Sequence, residues 1–294
     1  MRCVTVKAPG SCGEFLQGIY AEQPCLISCP IDLYSQIKIT EGPATQMLDS
    51  KAVQMLDLIY REYHIPREEK HHINISLTSE IPMEKGMASS TADIAGLAKG
   101  LSAYYDLGLS EKRIAELCVM IEPTDNIMFE QLNLFNHVSG SVLLDFDTSL
   151  EASILIVAFK GRVNTVNFHH QQEGYNRDEV AAFNEALSLF RQGLCDGDLD
   201  AIGAACTQSA RLNQKILYKP HLNAMEQLCY RYGGHGIITG HSGTVIGVLY
   251  SDEGFDYTEF MKDFLQHIPK QDYDALFLKN VIPGGFCVTE KDES

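Results

Sequence analysis

The amino-acid sequence predicts an α+β fold of two lobes, on three observations. First, 294 residues suffice for one large domain or two of ordinary size, and 45% apolar with 21% charged residues can fill a real core. Second, strand-like segments open the chain, whereas helical patterns dominate 179–232. Third, the polar run H-Q-Q-E-G-Y-N-R at 170–177 offers the best junction, so the lobes are read as 1–170 and 171–294.

In order along the chain, 2–8 reads as a strand and P-G-S-C-G-E-F-L-Q-G at 9–18 as a turn with three glycines. Cys25 to Ile39 reads as strands broken at Pro30, because Ile31, Leu33, Ile37 and Ile39 alternate with other residues. Val53 to Tyr60 is an amphipathic helix that ends before Pro66, and Ile73 to Leu77 a strand. A small-residue helix opens at Ser89 and Ser90. Ser110 caps the next, with Ile114, Leu117, Cys118 and Ile121 at helical spacing until Pro123 breaks it. Ser141 to Phe146 and Ser153 to Phe159 read as two strands around a turn, and Asn164 to His169 as another. Helices follow at Glu179–Phe190, Asp198–Asn213 and Leu222–Tyr232. The strand Val245–Tyr250, a helix at Thr258–His267 and a last strand near Asn280–Ile282 precede a frayed, charged tail.

Composition narrows the function. With 23 basic and 39 acidic residues the formal charge is −16, and no basic run offsets it, which argues against nucleic acid and anionic membrane as partners. An acidic chain can still bind phosphate when magnesium arrives with the nucleotide. No apolar stretch reaches spanning length and M-R-C-V opens directly into a strand, so a cytosolic chain is expected. Nine cysteines without a secretion signal or any C-x-x-C pair read as reduced thiols rather than disulfides or a zinc site.

The most informative stretch is Ile81 to Tyr105. A strand leads through Pro82 and a short loop at Gly86 into the small-residue helix. The first N–H groups of a helix lack partners within it and its dipole makes that end positive, so a loop of low bulk there suits a polyphosphate. Gly86 permits the turn, Ala88 keeps the wall low, and Ser89 and Ser90 offer caps and hydroxyl ligands for Mg2+. Taken alone, the same stretch reads as an ordinary Ser-capped core helix. Two further Gly/Ser-rich turns, at 9–18 and 239–244, and an Asp-bearing loop at 124–126 suggest one polar site assembled from distant segments.

Three landmarks in order resemble the GHMP kinases, the superfamily of galactokinase, homoserine kinase and mevalonate kinase. They are A-P-G at 8–10, P-M-E-K-G-M-A-S-S-T-A at 82–92 and G-H-S-G-T at 240–244. Within that superfamily, A-P-G-S-C-G-E-F-L-Q-G at 8–18, P-I-D-L at 30–33 and E-P-T-D at 122–125 are similar to the L-threonine kinases of adenosylcobalamin synthesis. The resemblance implies an N-terminal ribosomal S5 domain 2-like lobe, a C-terminal ferredoxin-like lobe, and ATP with its acceptor in the cleft between them. It implies ATP-dependent phosphorylation of the threonine hydroxyl, with a homoserine kinase-like enzyme as the rival and a non-catalytic ligand sensor as a reading of another class.

Carried over by position, Pro82, Lys85, Gly86, Met87, Ala88, Ser89, Ser90 and Thr91 bind ATP. Ser89 or Ser90 ligates magnesium with Glu116, and Glu122 stands in reserve. Asp125 acts as base or orients the acceptor hydroxyl. Glu14 or Asp32 meets the substrate ammonium, while Gly240, Ser242, Gly243 and Thr244 donate to a carboxylate or phosphate. The chain departs from the pattern at Ala88, which replaces a glycine and is costly only if its φ is positive. It departs again at Ser11, where relatives carry Lys or Arg, and at His241 and Ser242 inside a motif usually richer in glycine.

Overall fold

The structure is a computed structural model that describes residues 2–161 and 174–292. Among the described residues ten strands form one antiparallel system around which seven α-helices pack. The chain opens with a long hairpin, β1 (Arg2–Tyr20) and β2 (Gln23–Glu41). Its tip is Ala21 and Glu22, both left-handed at φ 46° and 63°. That is the two-residue geometry whose twist matches the flanking strands.

The turn expected at 9–18 and the break expected at Pro30 are absent: both strands run through. A register shift between Ser11 and Glu14 absorbs the irregularity instead, as a bulge at Cys12–Gly13. Just beyond it, Glu14 pairs with Ser28 on one side and with Thr239 on the other. The bulge therefore sets the carboxylate that matters most below.

After α1 (Ser50–Glu62), β3 (Ile73–Ser79) pairs with β2. Helix α2 (Ser89–Tyr104) then lies across the hairpin. Its Ala92, Ala95, Gly96 and Ala98 keep that face low, so the helix seats closely on the buried Val6, Ile37 and Ile39. Helix α3 (Glu111–Val119) is capped by Ser110, whose side chain accepts from the Arg113 N–H.

Strands β4 (Asn133–Asn136) and β5 (Ser141–Asp145) pair with each other, β4 also touching β2. Strand β6 (Ala152–Phe159) does not pair with β5, contrary to the two-strand turn expected there. It lies between β8 (Val245–Tyr250) and β9 (Tyr273–Val281). The strand expected at 164–169 lies outside the described residues, as does part of the expected junction. Helices α4 (Arg177–Asp196), α5 (Leu199–Leu212) and α6 (Leu222–Arg231) precede β7 (Gly236–Thr239), and α7 (Tyr257–His267) follows β8.

Glu290 to Asp292 are not frayed as expected, and the last two residues of the expected tail lie outside the described residues. Strand β10 (Cys287–Asp292) pairs antiparallel with β1. The pairings β1–β7–β8–β6–β9–β2–β1 close a ring, joined at Glu14–Thr239 and Ile31–Val281. Both joints are single-residue pairs and each follows a proline-bearing irregular stretch, which is why local patterning does not show them. No helix among the described residues is long and apolar enough to cross a membrane.

Candidate active site

The loop after β3 and the first turn of α2 wall a cleft of about 400 Å³. The loop is held from behind by the β7–β8 turn. Gly86 has φ +76° and a Cβ on it would lie 2.8 Å from Gly243 Cα; one on Gly243 would lie 2.0 Å from the Lys85 carbonyl oxygen. Only glycine at both places lets the two backbones touch. The Thr244 and Val245 N–H groups donate to that same oxygen, at 2.9 and 3.3 Å.

This packing corrects several expectations. The N–H of Gly240 donates to Val245 O, that of Gly243 to Gly240 O, and the Thr244 hydroxyl to Phe159 O. These donors are used within the protein, and Ser242 is the residue of this turn that lines the cleft. Lys85 lines nothing there either: its buried ammonium donates to Phe159 O (2.8 Å), Gly161 O (2.9 Å) and Asp274 (2.6 Å). It ties the loop to the strand layer. Pro82 also stands back, while Met83, Glu84 and Gly86 to Thr91 face the cleft.

Ala88 occupies the N-cap position of α2 with φ 58° and no side-chain cap, and Ser89 and Ser90 are the first helical residues rather than caps. The left-handed alanine is the costly case and stores backbone strain of ~1 kcal/mol. Helix α2 thus turns its first N–H groups toward the cleft, and its N-cap residue supplies no side-chain acceptor for them.

Two oxygens suited to a hard cation sit on this wall. The Ser90 hydroxyl donates to Glu122, and Lys51 Nζ donates to Ser90 Oγ at 2.9 Å and to Glu122 Oε2 at 2.7 Å. Glu116 is not near them. It sits on α3 with its carboxylate on the Arg113 guanidinium at 3.0 Å, outside the cleft lining. The reserve residue Glu122, just past the end of α3, is the carboxylate that lies beside Ser90. No group of three or more His, Cys, Asp or Glu side chains among the described residues is placed to hold a metal alone. Ser90 with Glu122 fits magnesium, which completes its shell with phosphate oxygens and water.

At the other end of the cleft Asp125 and Glu14 share a hydrogen bond. Pro123 breaks the chain after α3, and Asn126 pins the loop. Its side-chain oxygen accepts from Ser28 N (2.9 Å) and its amide donates to Asn133 O (3.0 Å). Thr91, one turn into α2, donates to Asp125 Oδ2 at 3.4 Å and accepts from the Thr124 hydroxyl at 3.0 Å. Burial, then the neighbouring Glu14 charge, holds the Asp125 carboxyl well above the usual carboxylate range. Burial also raises Glu14, to about 7. Two such carboxyls in contact share a proton between them.

Glu14 has a firm support. Its Oε2 accepts from both the N–H and Nδ1 of His241, each at 2.8 Å. Burial pushes His241 down to about 3, so the ring is neutral. The Ser209 hydroxyl accepts from Gln17 N at 3.0 Å and lies 3.5 Å from His241 Nε2. That network assigns the proton to Nδ1, where it donates to Glu14.

Lys219 is a buried cation behind this pair, outside the cleft lining. It is 7% exposed, its ammonium has no hydrogen-bond partner among the described residues, and it feels the Glu14 charge. Burial lowers it to about 8. Asp32 is remote from all this: its carboxylate accepts from Asn280 N (2.8 Å) and Asn280 Nδ2 (3.1 Å) and does not line the cleft. Lys51 and Lys219 were not singled out from sequence. Each is a lone lysine with no motif around it, and only long-range packing brings it near the carboxylate that its charge meets.

Residues 50–130 match the GHMP kinases N terminal domain. The chain is 30% identical over 274 residues to the L-threonine kinase of Citrobacter freundii, covering 90% of this chain and 94% of that protein. It is 30% identical over 271 residues to the L-threonine kinase of Salmonella typhimurium, covering 90% of each. Among solved structures, homoserine kinase from Cytophaga hutchinsonii superposes with a TM-score of 0.71 at 15% identity, over 98% of this chain and 97% of that one. The Methanococcus jannaschii mevalonate kinase gives 0.67 at 19% identity, over 96% and 98%. These two likenesses establish the fold. With the relatives at 30% over nearly the whole length, they identify this chain as a member of the GHMP kinase family, an ATP-dependent phosphotransferase with the α+β fold of that family.

Proposed function

We propose that this enzyme transfers the γ-phosphoryl group of ATP to the side-chain hydroxyl of L-threonine, giving O-phospho-L-threonine and ADP for adenosylcobalamin synthesis. The observation that carries the reading is the buried Glu14–Asp125 pair, beside the phosphate-facing helix end and within electrostatic reach of Lys219. An α-amino acid brings an ammonium and a carboxylate. Glu14, aimed by His241, takes the ammonium, and Lys219, set back from the cleft lining, attracts the carboxylate through its charge. The two curated relatives named L-threonine kinase point to the same acceptor.

In this reading residues 1–170 form the nucleotide-binding lobe and lend β6 to the strand layer of the lobe 171–294. Gly86 to Thr91 seat the triphosphate, and Ser90 with Glu122 hold magnesium. The metal supplies neutralisation of phosphate charge when bound. The entering ammonium lowers the proton affinity of the carboxyl pair, so that the shared proton leaves to solvent and Asp125 stands ionised within reach of the hydroxyl. The threonine oxygen then bonds to the γ-phosphorus, the bond to the ADP oxygen breaks, and the hydroxyl proton passes to Asp125.

A coupled ADP-release assay over an acceptor panel tests this. The expected order of kcat/KM is threonine, then serine, lower by ~1–3 kcal/mol for the lost methyl, then homoserine, whose hydroxyl is displaced. 3-Hydroxybutyrate, without the amine, and threoninamide, without the carboxylate, should fall near background. Homoserine in first place would overturn the threonine assignment. ATP binding with no acceptor-stimulated ADP release would favour a ligand sensor.

A further inference from the structure

Lys51 is the one Lys or Arg among the described residues that line the cleft, and it shares that lining with six carboxylates: Glu14, Asp49, Glu84, Asp93, Glu122 and Asp125. A triphosphate entering such a space needs cations. Yet the Lys51 ammonium is committed to Ser90 Oγ (2.9 Å) and Glu122 Oε2 (2.7 Å), the two oxygens assigned above to the metal. Glu122 is 8% exposed, so without a cation it would be a buried, uncompensated charge.

The anchoring of Lys51 separates its backbone from its head group. Its N–H donates to the Asp49 cap at 2.9 Å, at the start of α1, so its Cα is fixed. Its four-carbon stem leaves the ammonium free to turn, and the side chain is one-third exposed along the cleft wall. A lysine and a divalent ion compete for the same oxygens, because both need their lone pairs and like charges repel at that range.

We infer that Lys51 is an exchangeable cation: it covers Ser90 and Glu122 while the cleft is empty, yields them to the metal that arrives with the nucleotide, and turns its ammonium to the phosphate oxygens. The inference rests on the assignment of Ser90 and Glu122 as metal oxygens and is independent of which acceptor is phosphorylated. Its consequence is that free metal is excluded from the empty enzyme, so metal and nucleotide enter together.

The test measures binding to the full chain rather than turnover. Mn2+ binding without nucleotide is read from the loss of free-ion paramagnetic resonance signal, and Mg·ATP binding by titration calorimetry. Lys51→Met should bind Mn2+ about tenfold or more tightly than wild type in the absence of nucleotide. Adding Glu122→Gln should abolish that gain. Lys51→Met should also bind Mg·ATP about tenfold or more weakly. Where Lys51→Met does not fold by circular dichroism, Lys51→Gln gives the same readout. Unchanged Mn2+ affinity in a folded Lys51 variant overturns the inference, as does a gain that survives Glu122→Gln. Failure of the wild-type chain to bind ATP would instead strike the nucleotide site itself, and the nucleotide-free Mn2+ comparison separates the two.

Discussion

Replacing Glu14 by Gln should make the enzyme more stable at alkaline pH while crippling it. Burial raises the Glu14 carboxyl from 4.5 to about 7. The folded protein therefore holds a proton that the unfolded chain releases. Stability from this group is full below pH 4.5, is lost as pH rises from 4.5 to about 7, and stays lost above. A rise of about 2.5 pH units at 1.36 kcal/mol each amounts to ~3 kcal/mol. Gln keeps an oxygen for the two His241 donors and presents an amide to Asp125, so little hydrogen bonding is sacrificed. Other groups titrate nearby. Asp125 is raised, Lys219 is lowered to about 8, and His241, at about 3, loses stability as pH falls below 6.5. The difference between the two proteins isolates the carboxyl and its coupling to Asp125. Urea unfolding from pH 4 to 9 should show Glu14→Gln gaining ~2–3 kcal/mol over wild type across that range, mostly between pH 4.5 and 7. The same variant should lose ~10²-fold in threonine kcat/KM, the value of a charge-assisted contact to the ammonium. Parallel stability curves, or a variant less stable at pH 9, would refute the reasoning.

Asp125→Ala should lower kcat by ~10²-fold or more with ATP affinity little changed; a loss under about tenfold would leave Asp125 only an orienting role. Ala88→Gly removes the left-handed alanine at the head of α2, and thermal unfolding should show a gain of ~1 kcal/mol with activity retained. A destabilised Ala88→Gly would mean that the alanine methyl, buried in the core, outweighs the strain.

The sequence alone determined the fold class and the family, and it marked the loop before α2 and the loop bearing Asp125. Such features are written in short runs: a strand, a low loop and a helix start at 73–92, a proline before Asp125, glycines where two backbones meet. Local chemistry suffices for these because the same few residues both adopt the conformation and carry the group. Glu122 rather than Glu116 beside Ser90 was beyond its reach, since both lie in one acidic, helical stretch and only the chain's exit from α3 turns one of them inward. Asp32 and Glu14 were likewise alike as sequence. The bulge at Cys12–Gly13 sends Glu14 between β2 and β7, while Asp32 meets Asn280 at the exposed joint of β2 and β9. Lys51, Lys219 and His241 acquire their roles from partners that lie 39, 205 and 227 residues away, at Ser90, Glu14 and Glu14. Charge, burial and proton affinity at those sites belong to the neighbours a side chain acquires on folding, and only the tertiary structure decides which neighbours those are.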